Sequence, residues 1–106
     1  MKKIAVILAG CGTKDGSEIN ETVTLLLALD QHGLKYQCFA PDSNQYQVVN
    51  HVTGEVTNEE RNMMVEAARI VRGNILPMSE FNADNFDGLA IPGGVGVANN
   101  IFTYFI

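Results

Sequence analysis

Apolar positions along this chain keep two different periods, and their alternation outlines a fold. Residues 3–9 open on Lys3 and continue as Ile, Ala, Val, Ile, Leu and Ala without polar alternation, the pattern of a strand covered on both faces in a parallel sheet. Ile19, Val23, Leu26 and Leu27 then recur at helical spacing, and Gly33 is placed to end a helix in the left-handed conformation. This predicts a first helix over residues 18–32, with Ser17 as its cap and Glu18 and Glu21 near the positive end of its dipole. Residues 35–40 are β-prone and closed by Pro41, so the opening forty residues read as strand, helix, strand, with the two strands parallel.

From Gln47 the pattern loosens. Val48, Val49 and Val52 alternate with polar residues before a Thr53-Gly54 turn, which predicts a small hairpin. Thr57 and Glu60 have capping-box spacing, and Met63, Met64, Ala67, Ala68 and Val71 supply the apolar face of a second helix that stops at Gly73. Residues 75–78 read as a short strand, 82–86 as a helical turn and 88–91 as a buried strand running into Pro92-Gly93-Gly94. The order is that of a single α/β domain over 1–106, an open doubly wound parallel sheet with helices on both faces. Residues 98–106 begin like a helix but end Ile-Phe-Thr-Tyr-Phe-Ile without charge or cap. With four strands where such sheets usually hold five or more, the domain is expected to be truncated after its fourth strand.

Composition narrows the chemistry. Hydrophobic residues are 46% of the chain and charged residues 18%, enough for a core. The net charge of −5, with seven scattered Lys and Arg, offers no basic stripe for nucleic acid. No apolar run approaches the roughly 20 residues of a membrane-spanning helix, so no membrane partner is expected. Two cysteines, Cys11 and Cys38, suit a reducing compartment, and the chain reads as cytoplasmic.

Two glycine-rich loops follow strand ends, residues 10–16 and 92–96, and in an open α/β sheet both would face one crevice. The first is Gly-x-Gly-x-x-x-Gly, one residue longer than a dinucleotide fingerprint, so nucleotide binding is the weaker reading. In the second, Gly94 either offers a backbone N–H to a developing negative charge or makes an ordinary strand-to-helix turn. Glu21 is either an exposed helix residue or a buried acid facing the crevice, and Glu18 carries the same ambiguity. Cys11 is a possible nucleophile or a small buried hydrophobe, and Cys38 reads as packing. His32 and His51 have no partners at ligand spacing, so no metal site is indicated.

Taken together, Lys-Lys-Ile-Ala-Val-Ile-Leu-Ala-Gly-Cys-Gly after Met1, Asp-Gly-Ser-Glu-Ile at 15–19, Cys-Phe-Ala-Pro-Asp at 38–42, Glu-Ala-Ala-Arg-Ile at 66–70 and Ile-Pro-Gly-Gly at 91–94 carry a resemblance. In order and spacing they resemble the ElbB-type cofactor-independent glyoxalases, a branch of the class I glutamine amidotransferase-like superfamily that also holds the PfpI proteases. The resemblance implies a flavodoxin-like fold, a homodimer, and conversion of a small aldehyde, glyoxal, to glycolate without metal or nucleotide cofactor. It implies Glu21 as a buried acid beside the nucleophile and Gly94 as an oxyanion donor. Gly93, Cys11 and Glu18 are the candidate substrate contacts. The family's nucleophile is a Cys at a sharp turn after a later strand, and this sequence has no such segment. A nonenzymatic binding or regulatory module, for example linked to isoprenoid biosynthesis, is the alternative.

Overall fold

The two-faced first strand organises the molecule. A computed structural model describes residues 2–105, the Phe105 side chain apart. In β1 (Lys3–Ile7) successive side chains point to opposite faces. Val6 and, just past the strand, Leu8 pack with Cys38 and Ala67, whereas Ala5 and Ile7 pack with Phe39 on the other side. Each large side chain removed from water in this way contributes about 1.5–3 kcal/mol.

The other strands are β2 (Lys35–Ala40), β3 (Ile75–Pro77) and β4 (Gly88–Ala90), and the sheet order is β3-β2-β1-β4. All pairs are parallel, with Val6 opposite Cys38 on one side and Ala90 on the other. Helix α1 (Ile19–Gln31) and α2 (Met63–Val71) cover one face, bringing Leu25, Leu26, Leu29 and Val71 onto the Val6 and Leu8 cluster. On the opposite face Phe39 meets Phe81 and Phe86 edge-on at 5.3 and 5.5 Å, and α3 (Val95–Phe105) adds Ile101. The fold is the expected doubly wound, flavodoxin-like α/β arrangement.

Several local expectations need correction. Ser17 does not cap α1, because its buried Oγ accepts from the Ala9 N–H at 2.9 Å; the Glu18 carboxylate caps instead, accepting from Asn20 and Glu21 N–H at 3.1 and 2.7 Å. Thr57 and Glu60 do not start α2. Thr57 donates its N–H to Val48 O across the hairpin, and Asn62 becomes the cap, its Oδ1 accepting from Met64 and Val65 N–H. The hairpin itself is reduced to one antiparallel bridge, Val49 with Val56, closed by Asn50 N–H to Glu55 O. Helix α3 starts at Val95, three residues before the expected 98, and Ile106 of the apolar terminus lies outside the described residues.

Strand β4 pairs with β1 along one edge, and among the described residues no strand meets its other edge. Leu89 and Ile91 are 59% and 50% exposed there.

Candidate functional site

The strand order places the reversal point between β1 and β4, so the loops leaving these neighbours share one crevice. They are hydrogen-bonded to each other: Glu18 N–H donates to Gly93 O at 2.8 Å and Gly96 N–H to Thr13 O at 3.2 Å. Backbone meets backbone here, which only glycine permits. Gly94 has φ 137°, and a Cβ on it would lie 2.5 Å from Gly16 O; a Cβ on Gly96 would lie 2.2 Å from the Asp15 carbonyl carbon. Among the described residues no group accepts from the Gly94 N–H, which leaves it available to a ligand.

Glu21 and Gly93 are brought together, but not by burial. Glu21 Oε1 accepts from the Gly93 N–H at 3.2 Å. The residue is exposed, against the expectation of a buried acid, because among the described residues nothing covers the outer side of the first turn of α1. It lines an open cleft of about 500 Å³ together with Asn20, Thr24, Leu25, Ile91 and Pro92. Glu18, the other candidate carboxylate, is engaged as the helix cap and has both oxygens bonded to N–H groups of its own helix.

Cys11 lies elsewhere. It lines a second, polar pocket of about 270 Å³ with Asp15, His51 and Arg61, and not the Glu21 cleft. Burial pushes its thiol pKa up, with Glu66 and Asp15 adding to the rise and Arg69 opposing it. Such a thiol is the opposite of an activated nucleophile. Cys38, buried in β2, is pushed up to about 11 by burial alone. Both cysteines are free thiols.

The structure also assembles residues that spacing did not connect. His51 Nε2 accepts from the Lys14 N–H at 3.2 Å, so the ring carries its proton on Nδ1, 3.0 Å from Val49 O. Asp15 is buried, with Oδ2 accepting from Val49 N–H at 2.8 Å and Oδ1 3.9 Å from His51 Nε2. Asn100 is 1% exposed; its Nδ2 donates to Ala9 O and Asp15 O at 3.0 and 2.9 Å, and its Oδ1 accepts from Tyr46 N–H at 2.8 Å. No local signal marks an asparagine in an apolar helix as a hub for residues 54 and 91 positions away.

The same geometry argues against a dinucleotide. In the first loop Gly12 N–H donates to Ser17 O, Gly16 N–H to Gly12 O and Ser17 N–H to Ala9 O. A carboxylate already occupies the start of α1, where a pyrophosphate would sit. Among the described residues no three His, Cys, Asp or Glu side chains gather as a metal site.

No protein-family model matches the sequence. The chain is 40% identical over 105 residues to the mitochondrial ES1 protein homolog of Rattus norvegicus, covering 98% of this chain and 40% of that protein. It is also 40% identical over 105 residues to the human mitochondrial glutamine amidotransferase-like class 1 domain-containing protein 3, covering 98% of this chain and 39% of that one. The zebrafish (Danio rerio) mitochondrial ES1 protein is 35% identical over 106 residues, with 95% and 39% covered. This chain therefore spans about two fifths of the curated relatives it matches. The mitochondrial designation of all three overturns the expectation of a cytoplasmic protein. Two reduced thiols suit any reducing compartment, so they could not tell one from another. Among solved structures, an isoprenoid biosynthesis protein with an amidotransferase-like domain from Ehrlichia chaffeensis superposes with a TM-score of 0.90 at 52% identity, over 92% of this chain and 47% of that one. By sequence and by fold, the chain is similar over nearly its whole length to part of the glutamine amidotransferase-like class 1 domain proteins.

Proposed function

We propose that this chain is the front part of a cofactor-independent glyoxalase that converts glyoxal to glycolate through a cysteine nucleophile lying beyond residue 106. The supporting observation is the pairing of Glu21 Oε1 with the Gly93 N–H next to the unpartnered Gly94 N–H, at a strand edge open to a further strand. A thiolate delivered there adds to one aldehyde carbon, and the oxyanion of the hemithioacetal accepts from the Gly94 N–H. Glu21 takes the proton from that carbon and returns it to the neighbouring one, leaving a thioester. Water then hydrolyses the thioester, releasing glycolate and the thiol. The exposure of Glu21 in these 106 residues withdraws the expected role of a buried, hydrogen-bond-donating acid and leaves the proton relay. A homodimer belongs to the same reading, supported by Ile19, Val23 and Leu27, which repeat every turn of α1 at 44%, 50% and 54% exposure.

The test compares glyoxal consumption by the 106-residue chain with that of a product continuing through the next strand and its turn. The short chain is expected to be inactive and the longer one active. In the longer one Glu21→Gln should keep the fold and lower turnover by about 10² to 10⁴, the usual contribution of general acid–base catalysis. Full turnover in that variant removes Glu21 from the mechanism. An inactive longer protein favours the second reading, a nonenzymatic module linked to isoprenoid biosynthesis, which the name of the Ehrlichia relative supports.

A further inference from the structure

The Gly94 N–H can serve as a donor only if its direction is fixed, and Gly94 is the boundary residue of α3, its O accepting from Val97 N–H at 3.3 Å. Glycine gives this position no rigidity of its own. Its direction follows from how α3 is seated against the loop after β1. Two fastenings of that seat are visible at the start of the helix, the Gly96 to Thr13 and Glu18 to Gly93 hydrogen bonds. The third fastening lies deeper. Asn100 reaches the end of β1 through Ala9 O, the first loop through Asp15 O and the segment before the hairpin through Tyr46 N–H.

We propose that Asn100 is a positioning residue, which sets the direction of the Gly93 and Gly94 N–H groups by locking α3 to the loop after β1. The chemistry of the site demands this residue type. Two carbonyl oxygens and one N–H converge on a side chain that is 1% exposed, so the occupant must donate twice and accept once at the same short reach. Among side chains of this size only the asparagine amide does so. A leucine fills the space and leaves the buried Asp15 O and the Tyr46 N–H without this partner. An aspartate keeps the shape and the acceptor, but turns an oxygen toward two carbonyl oxygens. The lock extends sideways, since the same Asp15 whose carbonyl Asn100 holds accepts from Val49 N–H through its carboxylate. The hairpin and both glycine loops thus share one buried polar network.

The proposal rests on the glyoxalase reading for its purpose but not for its test, because backbone amide signals need no turnover. The experiment follows the Gly93 and Gly94 amide resonances of Asn100→Asp and of the unsubstituted chain from pH 4 to pH 8. When protonated, the introduced carboxyl can donate to one of the two carbonyls; when ionised it can donate to neither, so its pKa in the folded protein lies above the usual carboxylate value near 4. The expected result is near-native Gly93 and Gly94 shifts at pH 4 that move as the carboxyl ionises, together with an at least tenfold loss of hydrogen-exchange protection at Glu18 and Gly96. Val6 in β1 should keep its protection throughout; because the Glu21 carboxylate accepts from the Gly93 N–H and Glu18, Asp15 and His51 stand beside the same loops, each shift is read as the difference from the unsubstituted chain at the same pH. Shifts that stay native at pH 8 would overturn the proposal. So would an Asn100→Asp chain that fails to fold even at pH 4, since Asn100 would then serve the whole core and not this junction.

Discussion

Gly96 gives opposite answers to two lines of reasoning, and Gly96→Ala separates them. Seen as a residue of α3, it is a poor helix former, and alanine should stabilise the helix by about 1 kcal/mol. Seen in three dimensions, it is the point where α3 touches the first loop: a methyl group there would stand 2.2 Å from the Asp15 carbonyl carbon and 2.3 Å from Asp15 Cα and Gly16 N. Ordinary carbon contacts begin near 3.5 Å. All three obstacles are backbone atoms, so no side-chain rotation relieves them and α3 must move off the loop by about 1 Å. Overpacking of this kind costs about 1–3 kcal/mol. The movement also strains the Gly96 to Thr13 and Glu18 to Gly93 hydrogen bonds, each worth about 1 kcal/mol net. After subtracting the helix gain, the variant should be less stable by about 2–4 kcal/mol, a fall in Tm of roughly 10–30 °C for a domain of this size. Thermal and urea unfolding followed by circular dichroism measure it directly, with an unchanged urea slope marking a true stability effect. A Tm equal to or above that of the parent would refute the close approach, and with it the placement of Gly94.

Two further outcomes test the neighbouring chemistry. Glu18→Ala should destabilise the chain by about 1 kcal/mol through loss of the α1 cap, whereas Glu18→Asp, a good cap residue, should recover most of it; equal stability of all three in urea would show that the carboxylate does not cap. The Cys38 thiol, pushed up to about 11 from its ordinary 9.0, is held neutral by the fold, so its contribution is intact below pH 9 and is lost as pH rises toward 11. Subtracting the pH–stability curve of Cys38→Ala from that of the parent should therefore leave a decline confined to that alkaline window, and a flat difference would mean that the thiol is not desolvated.

The elements legible in the sequence are those whose side chains repeat with one period. The unbroken apolar run of residues 4–9 required cover on both faces, and the structure supplies α1 and α2 on one and the aromatic cluster with α3 on the other. Gly33 ended α1 because a left-handed turn is a local property, and it adopts φ 70°. Boundaries failed where a residue had a distant partner. Ser17 looks like a cap until its hydroxyl meets Ala9, Thr57 until its N–H joins Val48, and Gly96 looks like a loop residue until Asp15 lies against it.

The candidate site divides along the same line. That the two glycine-rich loops share an edge followed from strand–helix–strand order alone, because parallel strands send their carboxyl ends the same way. The contact of Glu21 with Gly93, the diversion of Glu18 to capping, the removal of Cys11 to a separate pocket and the convergence of three backbone groups on Asn100 were decided only by tertiary structure. Periodicity records which way a side chain faces relative to its neighbours in the chain. A hydrogen bond of 3 Å depends instead on the separation of two elements, which is set by the packing of every residue between them.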